Sequence, residues 1–169
     1  ILETLQAQLP SSYQGHSLRE AYVASAGLAP DDLQSFLKRT IGIDRAPQTW
    51  QEWLNIPEED IIHVVNGEVW LDQRGEFSAV RQAFLGYYPE PVRLRRIAHW
   101  CRYFSGMGVY ALKRAMLRDN EFYATTRFST AIRLGIQLAF LLDKVYFPYD
   151  KWLMAYFEQL PRMYARMGH

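Results

Sequence analysis

QLAFLLDKVYFPYDKW, residues 137–152, decides how the rest of the chain is read. Its first half is a helix with almost no polar face, and a helix that is apolar all round has to be enclosed by others, in the middle of a bundle. Pro148 breaks the run, and Asp150-Lys151-Trp152 restarts it. Asp143 interrupts the apolar stretch; a carboxylate there needs a partner, because an isolated buried charge is very unfavourable. The cluster Tyr146, Tyr149, Asp150, Lys151 and Trp152 reads either as the turn that fixes how two helices meet or as a polar pocket for something anionic or sugar-like.

Working outward, Asn120 is placed to cap the central helix, with Phe128, Ile132, Gly135, Leu138, Leu142 and Val145 as its core stripe. Before it, 89–119 reads as one long helix with Leu94, Ile97, Cys101, Phe104, Gly108, Ala111 and Ala115 on one face. Gly106 and Gly108 inside it weaken the helix by roughly 1 kcal/mol each, which points to a kink or a close crossing by another helix. A final helix is expected over 150–166, bent or ended early by Pro161.

Short elements precede this bundle. Apolar residues at Ile1, Leu2, Leu5 and Leu9 predict a helix closed by Pro10, and Tyr13–Ser17 reads as a loop. Ser17 and Glu20 form a capping-box pattern for a helix to about Ala26. Asp31-Asp32 opens the next, with Leu33, Phe36, Leu37 and Ile41 on one face and Gly42 as its stop. Thr49 caps a short helix carrying Trp50, Trp53 and Leu54, and Pro57–Asp60 starts another with acids in its first turn. Only Val64–Phe77 looks β-like: Asn66-Gly67 and Arg74-Gly75 flank Glu68–Leu71, which predicts a short edge hairpin or strand. Asp72 at its end reads as a turn carboxylate bonding to backbone. The fold class expected is therefore mainly α: three long helices preceded by short helices and one short β-hairpin or strand.

Composition narrows the functional classes. With 169 residues, 49% apolar and 15% aromatic, the chain has enough to build a core. Nineteen Lys and Arg against 18 Asp and Glu leave a net charge of +1, too balanced for bulk nucleic acid or an anionic membrane as main partner. The single cysteine, Cys101, permits no internal disulfide and fits the cytoplasm. No segment is apolar enough to span a bilayer, and no signal peptide is recognisable. Because the chain opens on Ile1 and stops shortly after a helix, it is expected to be a piece of a longer one. Phosphate loops, zinc-protease motifs and nucleophile elbows are missing. Arg93, Arg95 and Arg96, continued by Arg102, Lys113, Arg114 and Arg118, with Arg127 and Arg133 on the next helix, suit phosphate oxygens but read first as a solvated helix face. Arg93 and His99 also satisfy a loose R-x5-H pattern of helical ribonucleases, with Leu94 where a polar residue usually follows the arginine.

The ordered blocks TWQEWLNIPEEDI (49–61), NGEVWLDQRGEF (66–77), YYPEPVRLRRIA (87–98), GVYALKRAMLRD (108–119) and FLLDKVYFPYDKW (140–152) resemble the family catalogued as domain of unknown function 4037, whose members look like nucleotidyltransferases. The resemblance implies that 1–48 is the tail of an N-terminal catalytic domain absent from these residues, and that 49–169 is the helical C-terminal domain. It further implies a role on the substrate side of nucleoside monophosphate transfer from an NTP to a hydroxyl of a small molecule or protein. Mg²⁺ and NTP would be held mainly by the N-terminal acidic motif, so that this segment alone is inert. By analogy Arg114, Arg118, Asp143, Tyr146, Tyr149 and Lys151 are the substrate or nucleotide contacts, and Asp72 a candidate for one further carboxylate near the metals. Asp143 and Ala111 depart from the family pattern, which has asparagine at both places. The alternative is a non-catalytic helical module that binds a partner or forms a homodimer through aromatic surface.

Overall fold

The computed structural model describes residues 4, 7, 8, 10–17 and 31–163. The apolar faces expected at 1–9, the helix over 17–26 and the last turn expected beyond 163 lie outside the described residues. The fold is mainly helical. Helix α1 (Leu33–Ile41) starts at Asp32, whose carboxylate accepts the Ser35 N–H, and stops at Gly42 in the left-handed region, φ 78°. Helix α2 (Trp50–Asn55) opens with a full capping box between Thr49 and Glu52. A 3₁₀ turn (Glu58–Asp60) leads into α3 (Ile62–Val65), and α4 (Glu76–Leu85) follows.

The passage 66–77 is not a strand. Residues 66–75 run as an irregular connection and 76–77 already belong to α4, because no second strand is available to take up the backbone hydrogen bonds. Arg81 instead donates to the Val65 and Gly67 carbonyls. The one strand pair among the described residues is Ser12–Tyr13 against His16–Ser17. Gln14 (φ 48°) and Gly15 (φ 81°) make its turn, the left-handed pair that suits a two-residue hairpin. That stretch had read as a loop.

The long helix divides into α5 (Glu90–Tyr103), a π-helical segment (Phe104–Tyr110) and α6 (Ala111–Met116). The glycines explain the middle piece. A Cβ at Gly108 would sit 3.1 Å from the Ala131 Cα and 3.2 Å from its Cβ, so only a glycine lets the two backbones approach this closely. Leu94 and Cys101 turn outward, whereas Arg96 is buried beside Val92; the inward face of α5 mixes apolar side chains with an arginine, which apolar spacing could not indicate.

Asn120 accepts the Tyr123 N–H and opens α7 (Glu121–Asp143). Its second half is enclosed as expected: Leu134, Ile136, Gln137, Ala139, Phe140, Leu141 and Asp143 are buried. Half of the predicted stripe is overturned, since Phe128, Ile132 and Leu142 are 55%, 46% and 46% exposed, while Gly135 meets the Phe104 ring and Val145 packs on a core cluster. A single register cannot describe a helix whose first half packs on one neighbour through small residues and whose second half is buried on several sides.

Two apolar clusters meet on α7. Leu141 joins Leu37, Trp53, Ile61, Phe84, Val92 and Tyr146, while Ile136, Ala139 and Phe140 join Phe147, Leu153, Phe157 and Leu160. The last of these come from α8 (Asp150–Phe157) and the turn after it; the helix ends four residues before Pro161, whose ring disfavours helix at the residue preceding it. No helix among the described residues is long and apolar enough to cross a membrane.

Candidate functional site

Residues at 95, 99 and 102 of a helix share a face, being four and three apart. On α5 these are Arg95, His99 and Arg102, all exposed, and they form one side of a cleft of about 750 Å³. The opposite side comes from Arg133 and Gln137 on α7, with Phe147 below. The end of α2 and the 3₁₀ turn, through Glu58 and Glu59, close it. Four arginines against two glutamates make the lining basic.

Rotated one residue from the exposed face, Arg96 and Trp100 build the wall. The Arg96 Nη2 donates to the Trp53 and Ile56 carbonyls at 2.7 and 2.9 Å, groups that the end of a helix leaves without intrahelical partners. Its Nη1 pairs with Glu58 Oε1 at 2.6 Å, both side chains less than 10% exposed. The Trp100 indole donates to the same oxygen at 2.6 Å, and the Tyr88 ring lies under the guanidinium, 4.9 Å away. This network fixes α2 and the 3₁₀ turn to α5, and thereby the cleft's shape.

Behind the wall, the rings of Tyr87, Tyr88 and Tyr146 pack edge-on or tilted against one another, with centroids 4.8 to 5.0 Å apart. Burial pushes all three phenols up from their ordinary value, and the Glu58 charge adds to this at Tyr87 and Tyr88. They act as hydrocarbon and neutral hydroxyl at any physiological pH.

Charge in the cleft is unevenly engaged. Arg133 is shared between Asp150 (2.5 Å) and Glu59 (3.6 Å). Arg95 and Arg102 make no hydrogen bond or ion pair with the described residues, so their guanidinium groups are available to a ligand.

The residues indicated as substrate or nucleotide contacts, and Asp72, stand elsewhere, and none of them lines this cleft. Arg114 turns to its own helix, donating to the Tyr110 hydroxyl at 2.8 Å, and Arg118 is exposed on the turn after α6. The buried Asp143 carboxylate accepts the Arg162 and Met163 N–H groups at 3.1 and 3.2 Å and pairs with Arg162 Nε at 3.2 Å; it has the partner its position demands, and it anchors the segment after α8. Tyr146 donates its hydroxyl to the Phe84 carbonyl at 2.9 Å. Tyr149 accepts the Trp152 indole N–H at 2.9 Å and stacks on His63, while Lys151 lies over the Trp152 ring. Asp72 accepts the Ser78 N–H at 2.8 Å, and that hydrogen bond holds its carboxyl below the usual range. The structure thus brings Tyr149 and Lys151 together around Trp152, leaves the others apart, and assembles a basic cleft from Arg95, Arg102 and Arg133. Their signal was present in the sequence as the 95–99–102 spacing, but it merged into a run of arginines on all faces. Arg93, the other half of the R-x5-H pattern, is tied to Glu90 at 2.6 Å, while His99 opens into the cleft.

Among the described residues, no three His, Cys, Asp or Glu side chains are grouped to hold a metal ion. The carboxylates at the cleft do not fit a Mg²⁺ ion either: Glu58 Oε1 already accepts from Arg96 and Trp100, and Glu59 faces Arg133.

Residues 53–153 match the family model described as Domain of unknown function (DUF4037), and the chain belongs to that family. No curated protein and no solved structure gives a significant match.

Proposed function

We propose that this member of the DUF4037 family is the substrate-side helical domain of a nucleotidyltransferase-like protein, and that the arginine-lined cleft holds an anionic group of the nucleotide or of the hydroxyl acceptor. The reaction would pass a nucleoside monophosphate from an NTP to a hydroxyl, with pyrophosphate leaving. The carboxylates that hold Mg²⁺ would come from a catalytic part outside these residues, leaving this segment inert by itself. The contribution of this chain is to bind and orient.

One observation carries the reading. Arg95 and Arg102 share a helix face, line the cleft, and have no partner among the described residues, with Arg133 in the same lining. Charge-assisted hydrogen bonds from such guanidiniums to phosphate oxygens are about twice as strong as neutral ones. In the parent protein supplied with Mg²⁺ and α-labelled NTP, label is expected on an acceptor, and the double variant Arg95→Ala, Arg102→Ala is expected to lower kcat/KM at least tenfold. Labelling that is unaffected by the double variant would take the cleft out of the reaction.

A second reading, a module that binds a partner or dimerises, is favoured by Met116, Leu117 and Phe122 at the α6–α7 turn, which are 64%, 76% and 84% exposed. Sedimentation velocity separates the two: a dimer abolished by Phe122→Ser supports it, and a monomer at about 100 μM removes the homodimer.

A further inference from the structure

Leu94 and Cys101 on α5, and Phe128 and Ile132 on α7, have the spacing of a core face, yet all four stand at the surface. Met116 on α6 does the same. The seam between the two helices explains why. It is closed by small residues, Gly108 against Ala131, with Ala115 buried further along. So narrow a seam takes up little of each apolar stripe and leaves the larger side chains on its flank.

Helix geometry brings these five side chains to one side. The contacts of Arg93 with the Leu141 carbonyl and of Gly108 with Ala131 run the two helices antiparallel. Phe104, whose ring lies over Gly135, marks the inward side of the first helix, as Ala115 and Ala131 do further on. At about 100° per residue, Leu94 and Cys101 are turned from Phe104, Met116 from Ala115, and Phe128 and Ile132 from Ala131 by about 60–100°, always in the same sense. On antiparallel helices the same sense means the same side. Leu94, Cys101 and Ile132 each precede a cleft arginine by one residue, so the face they share points away from the cleft. Between Leu94 and Met116, and between Thr125 and Ile132, no Asp, Glu, Lys or Arg falls in that arc. The Thr125 hydroxyl at its margin donates to the Glu121 carbonyl at 2.9 Å, so it offers no unmet donor.

Area and charge identify what covers this face. Five side chains about half exposed, at roughly 200 Å² for a large one, leave on the order of 500 Å² of apolar surface. A stable interface takes about 800 Å² from each partner, roughly three-fifths of it apolar. Glu121 stands in the same arc at one end of α7 and has no ion pair among the described residues. Lys144, just past the other end, has only a 3.9 Å contact with Glu90. A two-fold axis running across the helices would lay α7 antiparallel on its own copy and bring each Glu121 toward a Lys144. Ile132 lies midway between those two positions, next to such an axis.

We propose that this face pairs with a second copy of the chain, antiparallel about an axis at Ile132, to form a layer of four helices. The proposal rests on the dimerising reading and assigns it a face; it is independent of nucleotidyl transfer.

Sedimentation velocity of the chain from about 1 to 100 μM tests it. A reversible dimer is expected, and Ile132→Glu and Phe128→Glu should each weaken it at least tenfold with the helical circular dichroism unchanged. In a Cys101→Ser background, Ile132→Cys should be linked to its copy by mild oxidation. Thr126→Cys, turned to the opposite side of α7, should not. A dimer that Phe122→Ser abolishes and Ile132→Glu leaves intact would overturn this face and leave the dimerising reading standing at the α6–α7 turn. Cross-linking through Thr126→Cys in place of Ile132→Cys would overturn it equally. A monomer throughout the range removes the proposal and the dimerising reading together.

Discussion

Two glycines two residues apart in the π-helical segment should respond oppositely to the same substitution. Gly106 is exposed, and a Cβ there would meet nothing within 4 Å; at Gly108 it would meet the Ala131 backbone at 3.1 Å. Gly→Ala narrows the unfolded ensemble at either place and is worth about 0.4–1 kcal/mol where the folded site has room. Gly106→Ala should show that whole gain. At Gly108 the contact is several tenths of an ångström short of an ordinary one, and the obstacle is backbone rather than the end of a flexible side chain. Overpacking of this kind is unfavourable by about 1–3 kcal/mol, so Gly108→Ala should be destabilised by a net 0.5–2 kcal/mol or so. For a chain of this length 1 kcal/mol moves Tm by about 2–4 °C. Thermal melts should place Gly106→Ala about 1–4 °C above the parent and Gly108→Ala about 1–8 °C below it, with Gly108→Val lower again. The consequence reaches the cleft, because this crossing sets the separation of α5, carrying Arg95 and Arg102, from α7, carrying Arg133 and Gln137. A Gly108→Ala variant as stable as Gly106→Ala would refute the close crossing and with it the cleft's dimensions.

Three other outcomes follow from the same geometry. Tyr146→Phe leaves the Phe84 carbonyl without its donor and should lower urea stability by about 1–2 kcal/mol with ligand affinity unchanged; lost affinity at unchanged stability would return Tyr146 to the site. Glu58→Ala strands Arg96 as an uncompensated buried charge and should destabilise by about 3–5 kcal/mol, whereas a loss under 1 kcal/mol in equilibrium unfolding would contradict the buried pair. Glu52, bonded to Arg45 and to the Gln48 and Thr49 backbone, has its carboxyl held at about 2 instead of 4.5. A pKa depressed by folding contributes stability above the unfolded value and loses it as pH falls through the folded one. The parent should therefore exceed Glu52→Gln above about pH 4.5, and the two urea midpoints should converge toward pH 2; parallel profiles across that window would deny the shift.

The parts of the fold that local chemistry specifies were legible in the sequence. Asp32, Thr49 and Asn120 cap where they were expected to, Gly42 stops its helix, and the mostly apolar Leu134–Leu141 lies at the centre. The glycines of the long helix pointed to the crossing, though not to its π-helical form. What failed depended on partners distant in sequence. Glu68–Leu71 has strand-like residues but no strand to pair with, and the short hairpin at 12–17 forms where a Gln-Gly turn allows it. The candidate site was the least legible part. Its wall is a buried Arg96–Glu58 pair spanning 38 positions of sequence, and no helical periodicity distinguishes an arginine that turns inward from one that turns to water. The conspicuous YFPYDKW stretch (146–152) is explained largely by packing and local hydrogen bonds, through Tyr146, Tyr149 and Trp152.

Five tryptophans give five indole N–H signals, and two of them distinguish the competing sites. Trp100 lies in the cleft wall, while Trp152 sits with Tyr149 and Lys151. Titrating ¹⁵N-labelled protein with a nucleoside triphosphate should shift the Trp100 indole signal saturably and leave Trp152 in place. Saturable shifts of Trp152 with Trp100 unmoved would place the ligand on the Tyr149–Lys151 face and contradict the arginine-lined cleft as the binding site.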